Sequence, residues 1–425
     1  MSAQVHDLAG IGLGPFNLGL AALADAVPGL DAVFLDRRAE FSWHPGLLID
    51  GAQLQVPFLA DLVTMVDPTS RWSFLNYLRE HDRMFPFFFA ERFHVPRREY
   101  DHYCRWVAGS LPSCRFGAEV TAVSWDAGRG AFRVTYSGGE LLARNVVLGV
   151  GTQPRVPGAF RPLLGKEICH AADYLPNLPV LTAAADVTVV GSGQSGAEVF
   201  LDLLRRQPET GSRVRWLTRG RFAPMEYSKL GLEHFTPDYT SYFRGLSPST
   251  RDRLVPAQWQ LYKAVSVDTL AEIHDLLYER TIGGGEVPAQ LNPHTEIRTV
   301  EQVDGRYRLG CHEIQQDRPY TVDTDRVVLA TGYAASVPPF LDPLGHLVRW
   351  DDSRRHRIDA DYRIELDPAV TGGLYVQNGE LHTHGVGAPD LTLGAWRAAT
   401  ILNAVTGRTV HRLPERTAFT TFGAP

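Results

Sequence analysis

Cysteine is scarce in this chain, and no excess of positive charge accompanies its length. The 425 residues include only four cysteines, Cys104, Cys114, Cys169 and Cys311, with no C-x-x-C pair among them. We therefore expect neither a disulfide framework nor a metal site, and we interpret the cysteines as buried thiols. The formal net charge of -6 at pH 7 gives no basic field for nucleic acid. The composition favours a globular protein with small-molecule partners.

The chain also lacks the features of a signal peptide. One uncharged run, residues 8–24, has suitable length, but His6 and Asp7 precede it where a signal peptide has lysine or arginine. Glycines and a proline interrupt the run, so we interpret it as a buried strand, a turn and a helix rather than a membrane span. We expect a cytoplasmic protein with no stable membrane insertion.

Two glycine-rich turns are the most informative motifs that are present. They are Gly12-Leu-Gly14-Pro-Phe-Asn17 and, about 180 residues later, Gly191-Ser-Gly193-Gln194-Ser195-Gly196. Each turn ends an apolar run and precedes a helix-like one. Glycine lets the backbone turn tightly and approach a pyrophosphate, and the helix that follows directs unpaired N–H groups at that anion. The pair predicts one flavin and one nicotinamide nucleotide, and hence redox chemistry.

The first turn lies within a strand-helix-strand pattern. We predict a helix over residues 18–26 and a second strand over 32–35, which ends at Asp36. A carboxylate at this position is suited to accept hydrogen bonds from a nucleotide ribose. The alternative is a solvated acidic residue in a turn beside Arg37 and Arg38.

The second turn has a different residue at the equivalent place. We predict strand, turn and helix over 186–203 and a second strand over 214–217, which is followed by Thr218 and Arg219 rather than by an acid. A guanidinium can pair with a 2′-phosphate, so we predict NADPH rather than NADH. Arg219 is the preferred contact over Arg221; a surface arginine without this role is the alternative.

The remaining apolar patterns complete an α/β fold with two Rossmann-like dinucleotide-binding domains and a small helical substrate-binding insert. We predict helices over 72–83, 250–260, 267–280 and 393–405, antiparallel strands within 120–134, and buried strands over 145–150 and 327–333. Residues 40–111 outside the predicted helix read as loops and turns rich in proline and aromatic residues.

Seven ordered motifs identify a family. They are GIGLGPFN (10–17), FSWHPG (41–46), LQVPF (54–58), DLVT (61–64), DPTS (67–70), FLNY (74–77) and ATGY (330–333). Together they closely resemble the flavin-dependent N-hydroxylating monooxygenases of siderophore biosynthesis, most of all the bacterial lysine and diamine branch.

The resemblance implies a reaction and two cofactors. NADPH would reduce FAD, O2 would add to form a C4a-hydroperoxyflavin, and a primary amine would attack its distal oxygen to give an N-hydroxylamine. The implied domains are 1–178 and 325–425 for FAD, 179–224 and 284–324 for NADPH, and 225–283 for the substrate. A flavin disulfide reductase is disfavoured because it needs a cysteine pair; an NADPH oxidase differs by making peroxide without hydroxylamine. We also expect a homo-oligomer, either dimer or tetramer.

The same resemblance assigns candidate site residues. Gln55 and His44 are the candidate catalytic residues, and Gln55 would also contact FAD and the amine. The further FAD contacts would be Gly12, Gly14, Asn17, Asp36, Trp43, His44, Thr331, Gly332, Tyr333 and Leu393. The NADPH contacts would be Gly191, Gly193, Gln194, Ser195, Gly196 and Arg219. Leu391 and Thr392 would line the amine pocket. For Trp43 and His44, ordinary buried side chains are the alternative.

Ala60 directs our expectation about the amine. In the family's amino-acid hydroxylases a lysine at the position of Ala60 pairs with the substrate carboxylate, and alanine cannot do so. We therefore expect a diamine such as putrescine or cadaverine. L-Lysine or L-ornithine stays open if Lys229 or Lys263 supplies the cation. Glu233 or Asp238 could receive the second ammonium of a diamine.

Overall fold

The computed structural model describes residues 4–424, and its two principal sheets are one mixed sheet and one parallel sheet. The strands are β1 (Val5–Ile11), β2 (Ala32–Leu35), β3 (Cys114–Arg115), β4 (Val120–Asp126), β5 (Ala131–Tyr136), β6 (Gly139–Leu148), β7 (Gln153–Pro154), β8 (Ile168–His170), β9 (Asp186–Val190), β10 (Arg213–Leu217), β11 (Ala289–Asn292), β12 (Thr295–Val303), β13 (Arg306–Glu313), β14 (Arg318–Thr324), β15 (Arg326–Leu329), β16 (Tyr333–Ala334) and β17 (Gly373–Val376). The α-helices are α1 (Pro15–Ala24), α2 (Phe74–Glu80), α3 (Met84–Ala90), α4 (Arg97–Ser110), α5 (Tyr174–Thr182), α6 (Gln194–Thr210), α7 (Pro237–Gly245), α8 (Pro248–Ala257), α9 (Trp259–Tyr262), α10 (Val267–Thr281), α11 (Leu381–His384) and α12 (Gly394–Thr406).

The first sheet carries the first glycine turn at the end of β1. Its strand order is β3-β2-β1-β6-β5-β4, and β17 joins it through β6. β1 is parallel to β2 and β6, whereas β4, β5 and β6 are antiparallel. The last four residues of β1 are buried, as expected for a strand covered on both faces. Helices α1 and α12 pack together over one face, which confirms the predicted first nucleotide unit.

The second sheet carries the second glycine turn at the end of β9. Its order is β11-β10-β9-β15-β8, and every pair is parallel. α6 packs on this sheet, with the Phe200 ring stacked on Trp216 at 5.3 Å between centroids. The two units therefore confirm the predicted α/β class.

Two strands lie in a different unit from the one that we predicted for them. We assigned residues 1–178 and 325–425 to the FAD-binding domain, but β8 and β15 pair within the second sheet. The sequence of an apolar strand does not indicate which sheet the strand joins, because both sheets bury apolar side chains of the same kind. Residues 168–170 and 326–329 therefore belong to the second unit. The assignment of each unit to its nucleotide stays a prediction.

The helical region predicted at 225–283 contains α7 to α10. Its core joins Phe235, Tyr239, Phe243 and Leu261 to Val386 from the C-terminal part of the chain. The helix predicted over 250–260 is interrupted at Gln258, which separates α8 from α9.

The loop prediction for residues 40–111 was wrong in part. α4 occupies 97–110 and buries Tyr100, Tyr103, Cys104 and Val107 at helical spacing. The helix predicted over 72–83 is shorter, since the Ser73 side chain caps α2 by accepting a hydrogen bond from the Asn76 N–H.

The cysteines match the expectation of thiols. All four are free; Cys104, Cys169 and Cys311 are buried, and Cys114 is partly buried. Between residues 4 and 424 no helix is both long and apolar enough to cross a membrane. The same stretch contains no cluster of three or more His, Cys, Asp or Glu side chains arranged to hold a metal.

Candidate active site

The first glycine turn is shaped to receive a phosphate group. Gly12 has a φ of +85°, and a Cβ there would lie 2.7 Å from the Gly149 carbonyl oxygen. A Cβ on Gly14 would meet nothing within 4 Å, so the space before the N-terminus of α1 is open. Gly14 is the N-cap of α1 and offers no capping side chain, which leaves the first N–H groups for a ligand. The turn fits a dinucleotide pyrophosphate.

Asn17 supports this turn from beneath. Its side chain is fully buried, and Nδ2 donates to the carbonyl oxygens of Gly12 (2.8 Å) and Ile11 (3.2 Å). Oδ1 accepts a hydrogen bond of 2.7 Å from Gln377 Nε2, next to the end of β17. The side chain of Asn17 therefore ties the glycine turn to the sheet instead of pointing into the open space.

Asp36 also serves the turn. The carboxylate accepts hydrogen bonds from the Leu13 N–H at 2.7 Å and from the N–H and Nε of Arg38, both at 2.9 Å. Arg38 Nη2 pairs with the same group at 2.8 Å. Burial raises the pKa of Asp36, but the bonds from Arg38 and Leu13 outweigh it, and the net pKa is lowered. The predicted ribose acceptor is a buried, ionised residue, and the alternative of a solvated turn residue is wrong.

The second glycine turn repeats the design more tightly. A Cβ on Gly191 would lie 2.0 Å from the Ala330 carbonyl oxygen, and one on Gly196 would lie 2.5 Å from the Gly191 oxygen. Trp216 Nε1 donates to that Gly191 oxygen at 2.6 Å. Gly193 is the N-cap of α6 without a capping side chain. The free N–H groups of Gln194, Ser195 and their neighbours fit a second dinucleotide.

Gln55, in a loop of the first unit, contacts the second glycine turn and Met225. Its Nε2 lies 3.3 Å from Oε1 of Gln194, the first residue of α6, and 2.7 Å from the sulfur of Met225. Gln194 in turn accepts from the Ser266 N–H at 2.8 Å and donates to Glu198 at 2.9 Å. The residue predicted to lie near flavin and amine therefore sits where both nucleotide units and the helical region meet.

His44 lies in a polar and aromatic group beside this junction. Its ring packs edge to face on Trp43 at 5.0 Å and on Tyr333 at 5.7 Å, between centroids. The residue has a φ of 49°, which fixes its backbone in the left-handed region. More than a third of His44 is exposed, but desolvation of its imidazole by the surrounding side chains, together with the positive charges of Arg97 and Arg38, lowers the pKa of His44 to about 4. The imidazole is thus neutral at pH 7.

Arg97 was missed by sequence reasoning because it lies in the unpredicted α4. It pairs with the buried Glu198 of α6 at 2.7 Å, and its charge acts on both His44 and Tyr333. Burial raises the pKa of Tyr333 to about 12. Thr331 donates through its hydroxyl to the Arg155 carbonyl oxygen, and Gly332 accepts from the Arg155 N–H at 2.9 Å. The ATGY motif consequently borders the same region.

The C-terminal segment 387–393 closes the other side. Leu391 packs against the core that includes Leu54 and Leu62, and Leu393 is buried. Thr392 donates its N–H to Asp390 at 2.8 Å. Arg397 fixes the segment by donating to the Gly387 and Ala388 carbonyl oxygens at 3.2 and 2.8 Å.

Arg397 and Glu380 form a buried ion pair below this segment. The side chains are 1% and 0% exposed, with Nη1 and Oε1 2.9 Å apart, although the N–H direction does not satisfy a hydrogen bond. The guanidinium also lies 4.6 Å from the centre of the Phe16 ring, in the first glycine turn. Sequence reasoning missed the pair because the partners are distant in the chain.

The residues considered as partners of the substrate's charged groups differ in exposure and position. Ala60 is buried, while Lys229 is exposed. The Lys263 carbonyl oxygen would lie 3.1 Å from a Cβ on Gly193, so the Lys263 backbone packs against the second turn.

The two acidic candidates for the second ammonium have hydrogen-bond partners in the C-terminal tail. Glu233 accepts hydrogen bonds from the N–H groups of Phe419 (3.0 Å) and Thr420 (2.8 Å). Asp238 accepts from the Thr417 N–H at 2.6 Å. Both carboxylates hold the C-terminal tail, because loop N–H groups without partners compete for them.

Arg219 follows the second strand of the second unit, and its contact with NADPH stays a prediction. It follows β10, beyond the buried Thr218, and its side chain is exposed beside the second glycine turn's sheet edge. Arg221 is exposed as well, and its Nη2 lies 3.4 Å from Gln260 Oε1. Of the two, Arg219 is the one without a side-chain partner among residues 4–424.

The family model described as L-lysine 6-monooxygenase/L-ornithine 5-monooxygenase matches residues 4–335. The chain belongs to this family. The predicted resemblance is confirmed.

Several relatives in this family match over almost their entire length. The chain is 44% identical to the rhizobactin siderophore biosynthesis protein RhbE of Rhizobium meliloti, covering 99% of this chain and 95% of that protein. It is 41% identical to a putrescine N-hydroxylase of Shewanella oneidensis, covering 98% and 84%.

A solved structure agrees in fold. The FAD-bound crystal structure of DfoA, a cadaverine monooxygenase of the desferrioxamine pathway from Erwinia amylovora, superposes with a TM-score of 0.95. The two are 38% identical, and the match covers 99% of each chain. Both glycine turns thus lie in a fold that this chain shares with an FAD-bound monooxygenase.

Proposed function

We propose that this family member hydroxylates one amino group of an aliphatic diamine such as putrescine or cadaverine. It uses FAD, NADPH and O2, and the product is an N-hydroxylamine for hydroxamate siderophore biosynthesis. The reaction balances as R-NH2 + O2 + NADPH + H⁺ → R-NHOH + H2O + NADP⁺. Relatives named putrescine N-hydroxylase and cadaverine monooxygenase, similar over nearly the whole chain, support this proposal.

Ala60 is the observation that carries the choice of a diamine. It is 3% exposed, and a methyl side chain supplies no charge. A substrate carboxylate left unpaired in a partly buried site costs on the order of several kcal/mol, whereas a tenfold change in affinity corresponds to about 1.4 kcal/mol. A substrate without that carboxylate avoids the cost.

The chain's own groups perform binding, orientation and exclusion of water. The first glycine turn and α1 would hold the FAD pyrophosphate, and the second turn and α6 that of NADPH, with Arg219 at its 2′-phosphate. FAD supplies the redox chemistry and the activation of O2 when bound. Leu391 and Leu393 would cover the reacting atoms and keep water out.

Gln55 and His44 are the proposed catalytic residues. The Gln55 amide lies beside Gln194 of the second turn and would orient the amine by hydrogen bonding. The lowered pKa keeps His44 neutral, so it adds no positive charge that would repel an amine. A neutral imidazole can accept or donate a hydrogen bond beside the flavin.

The amine panel is the experiment that tests the proposal. Hydroxylamine formation with putrescine, cadaverine, L-lysine and L-ornithine should be efficient only with the diamines. Efficient turnover of an amino acid and none of a diamine would establish the alternative, an L-lysine N6- or L-ornithine N5-monooxygenase. Ala60→Lys should weaken diamine use and improve amino-acid binding, whereas Ala60→Met controls for the added bulk.

We also propose a homo-oligomer that forms through α3. The helix has no charged residue, and Phe85, Phe88 and Phe89 are between 71% and 76% exposed. Such a continuous apolar surface favours association, and a uniformly apolar face is complementary to a second copy across a two-fold axis. Light scattering should give a dimer or tetramer, and Phe88→Glu should reduce the mass to that of a monomer.

The proposed location is the cytoplasm, where NADPH is regenerated by metabolism. Fractionation of cells that make the protein should recover it with cytoplasmic enzymes. Recovery in the periplasm would contradict this part of the proposal.

A further inference from the structure

Asp390 is a partly buried carboxylate without a cation. Its hydrogen bonds come from Thr392, whose backbone N–H lies 2.8 Å from Oδ1. No lysine or arginine in the part of the chain that the structure describes forms an ion pair with it. Arg397 acts on it only through its longer-range charge, and Arg397 is already paired with Glu380.

Acids that are more deeply buried than Asp390 have partners within the chain. Asp36, Glu198, Asp202 and Glu380 each have an arginine within 2.9 Å. The carboxylate of Asp61 instead accepts hydrogen bonds from three backbone N–H groups and one hydroxyl. A partly buried carboxylate with neither arrangement is stabilised when a positively charged ligand pairs with it. Burial indeed raises the pKa of Asp390.

The neighbours of Asp390 belong to the candidate active site. Its charge acts on the hydroxyl of Tyr227, and the same hydroxyl interacts with the Gln55 side chain. That hydroxyl also lies 3.7 Å from the Met225 sulfur, to which Gln55 donates. On its other side, Asp390 directly precedes Leu391 and Thr392. The carboxylate therefore stands within the group of residues proposed to surround the amine.

We propose that Asp390 is the counter-ion of the second ammonium of the diamine and thereby selects diamines over monoamines. The inference rests on the proposed diamine hydroxylation. The ammonium that is not hydroxylated would donate to Asp390, while the amine at the other end lies toward Gln55. Ala60 removes the cation that an amino acid needs, and Asp390 supplies the anion that a diamine needs.

Asp390→Asn is the variant that isolates the charge. The asparagine oxygen can still accept the Thr392 N–H, so the local cap survives while the negative charge is removed. Steady-state hydroxylamine formation is measured with cadaverine and with 1-aminopentane, which has the same carbon chain but only one nitrogen. We expect kcat/KM for cadaverine to fall about 10- to 100-fold, mainly through KM, because a charge-assisted hydrogen bond is lost. The value for 1-aminopentane should change by less than about threefold.

Two further variants control the result. Asp390→Glu keeps the charge and should retain a preference for cadaverine over 1-aminopentane. Asp268→Asn removes the other carboxylate whose charge acts on Tyr227, an exposed one in the first turn of α10, and should leave the preference intact.

The outcomes separate this inference from the proposed function. If the native protein makes no hydroxylamine from any amine, the proposed function itself fails. If it hydroxylates cadaverine but Asp390→Asn lowers both amines by the same factor, or neither, Asp390 is not the counter-ion. A diamine-specific loss in Asp268→Asn alone would also overturn the assignment.

Discussion

Removing the charge of Glu380 should destabilise the protein far more than removing an exposed charge. Glu380→Gln leaves the Arg397 guanidinium, 1% exposed, without the carboxylate that pairs with it. Breaking a buried pair from one side typically costs about 3–5 kcal/mol. The carbonyl oxygens of Gly387 and Ala388 and the ring of Phe16 remain near the cation, so we expect about 3 kcal/mol.

The double variant tests whether the cost arises from the unpaired charge. Arg397→Met combined with Glu380→Gln removes both charges but also the hydrogen bonds to two carbonyl oxygens, each worth about 1 kcal/mol. We expect the double variant to be no less stable than Glu380→Gln alone. The coupling free energy of the cycle should then be at least about 2 kcal/mol.

Urea denaturation followed by tryptophan fluorescence measures these free energies of unfolding. Asp323→Asn, in the exposed Arg308–Asp323 pair, serves as the matched control and should unfold with the native protein. A cost below about 1 kcal/mol for Glu380→Gln, or strictly additive single changes, would refute the reasoning. Because Arg397 also anchors segment 387–393, Glu380→Gln should bind FAD more weakly.

Three other perturbations have expected outcomes. Gly14→Ala should leave urea stability within about 1 kcal/mol, since its Cβ meets nothing within 4 Å, yet weaken FAD binding in a titration; unchanged FAD affinity would contradict the placement of the pyrophosphate. Arg219→Ser should raise KM for NADPH about tenfold or more and leave that for NADH unchanged, and equal effects on both would remove its phosphate role. The pKa of His356 is lowered from 6.5 to about 4 by burial and by the charge of His382. The unfolded chain therefore takes up a proton first, and the free energy of unfolding decreases as the pH falls from 6.5 toward 4. This residue should lower the free energy of unfolding at pH 5 by about 2 kcal/mol. Urea midpoints at pH 5 and 8 measure the effect, and the same difference between the two midpoints in His356→Gln as in the native protein would contradict it.

Local signals predicted the nucleotide-binding parts well. Both glycine turns lie between a buried strand and a helix, as their spacing indicated. The helix start was misplaced to residue 18 because Pro15 was read as an interruption, although proline is favoured in the first turn of a helix. The helical region at 237–281 was also predicted, since its apolar positions recur at helical spacing.

Long-range relations were beyond the sequence. The tie between Asn17 and Gln377 joins residues 360 positions apart, and Gln55 meets Met225 across 170. No local pattern marks such partners, because they are chosen by packing of the whole fold. α4 was different: Pro96 before it and the apolar spacing of Tyr100, Tyr103 and Val107 were readable signals that the aromatic-rich surroundings obscured.

The strands β8 and β15 have a consequence for dividing this protein into pieces. They lie outside the continuous stretch 179–324, yet they supply two of the five strands of the second sheet, β15 from its interior. In a fragment limited to 179–324, the edge of β9 that now pairs with β15 would have no partner strand. Apolar side chains that Val327 and Val328 now shield would be uncovered. Such a fragment should aggregate instead of folding, so the second nucleotide unit can be completed only after the ribosome has added residues 326–329.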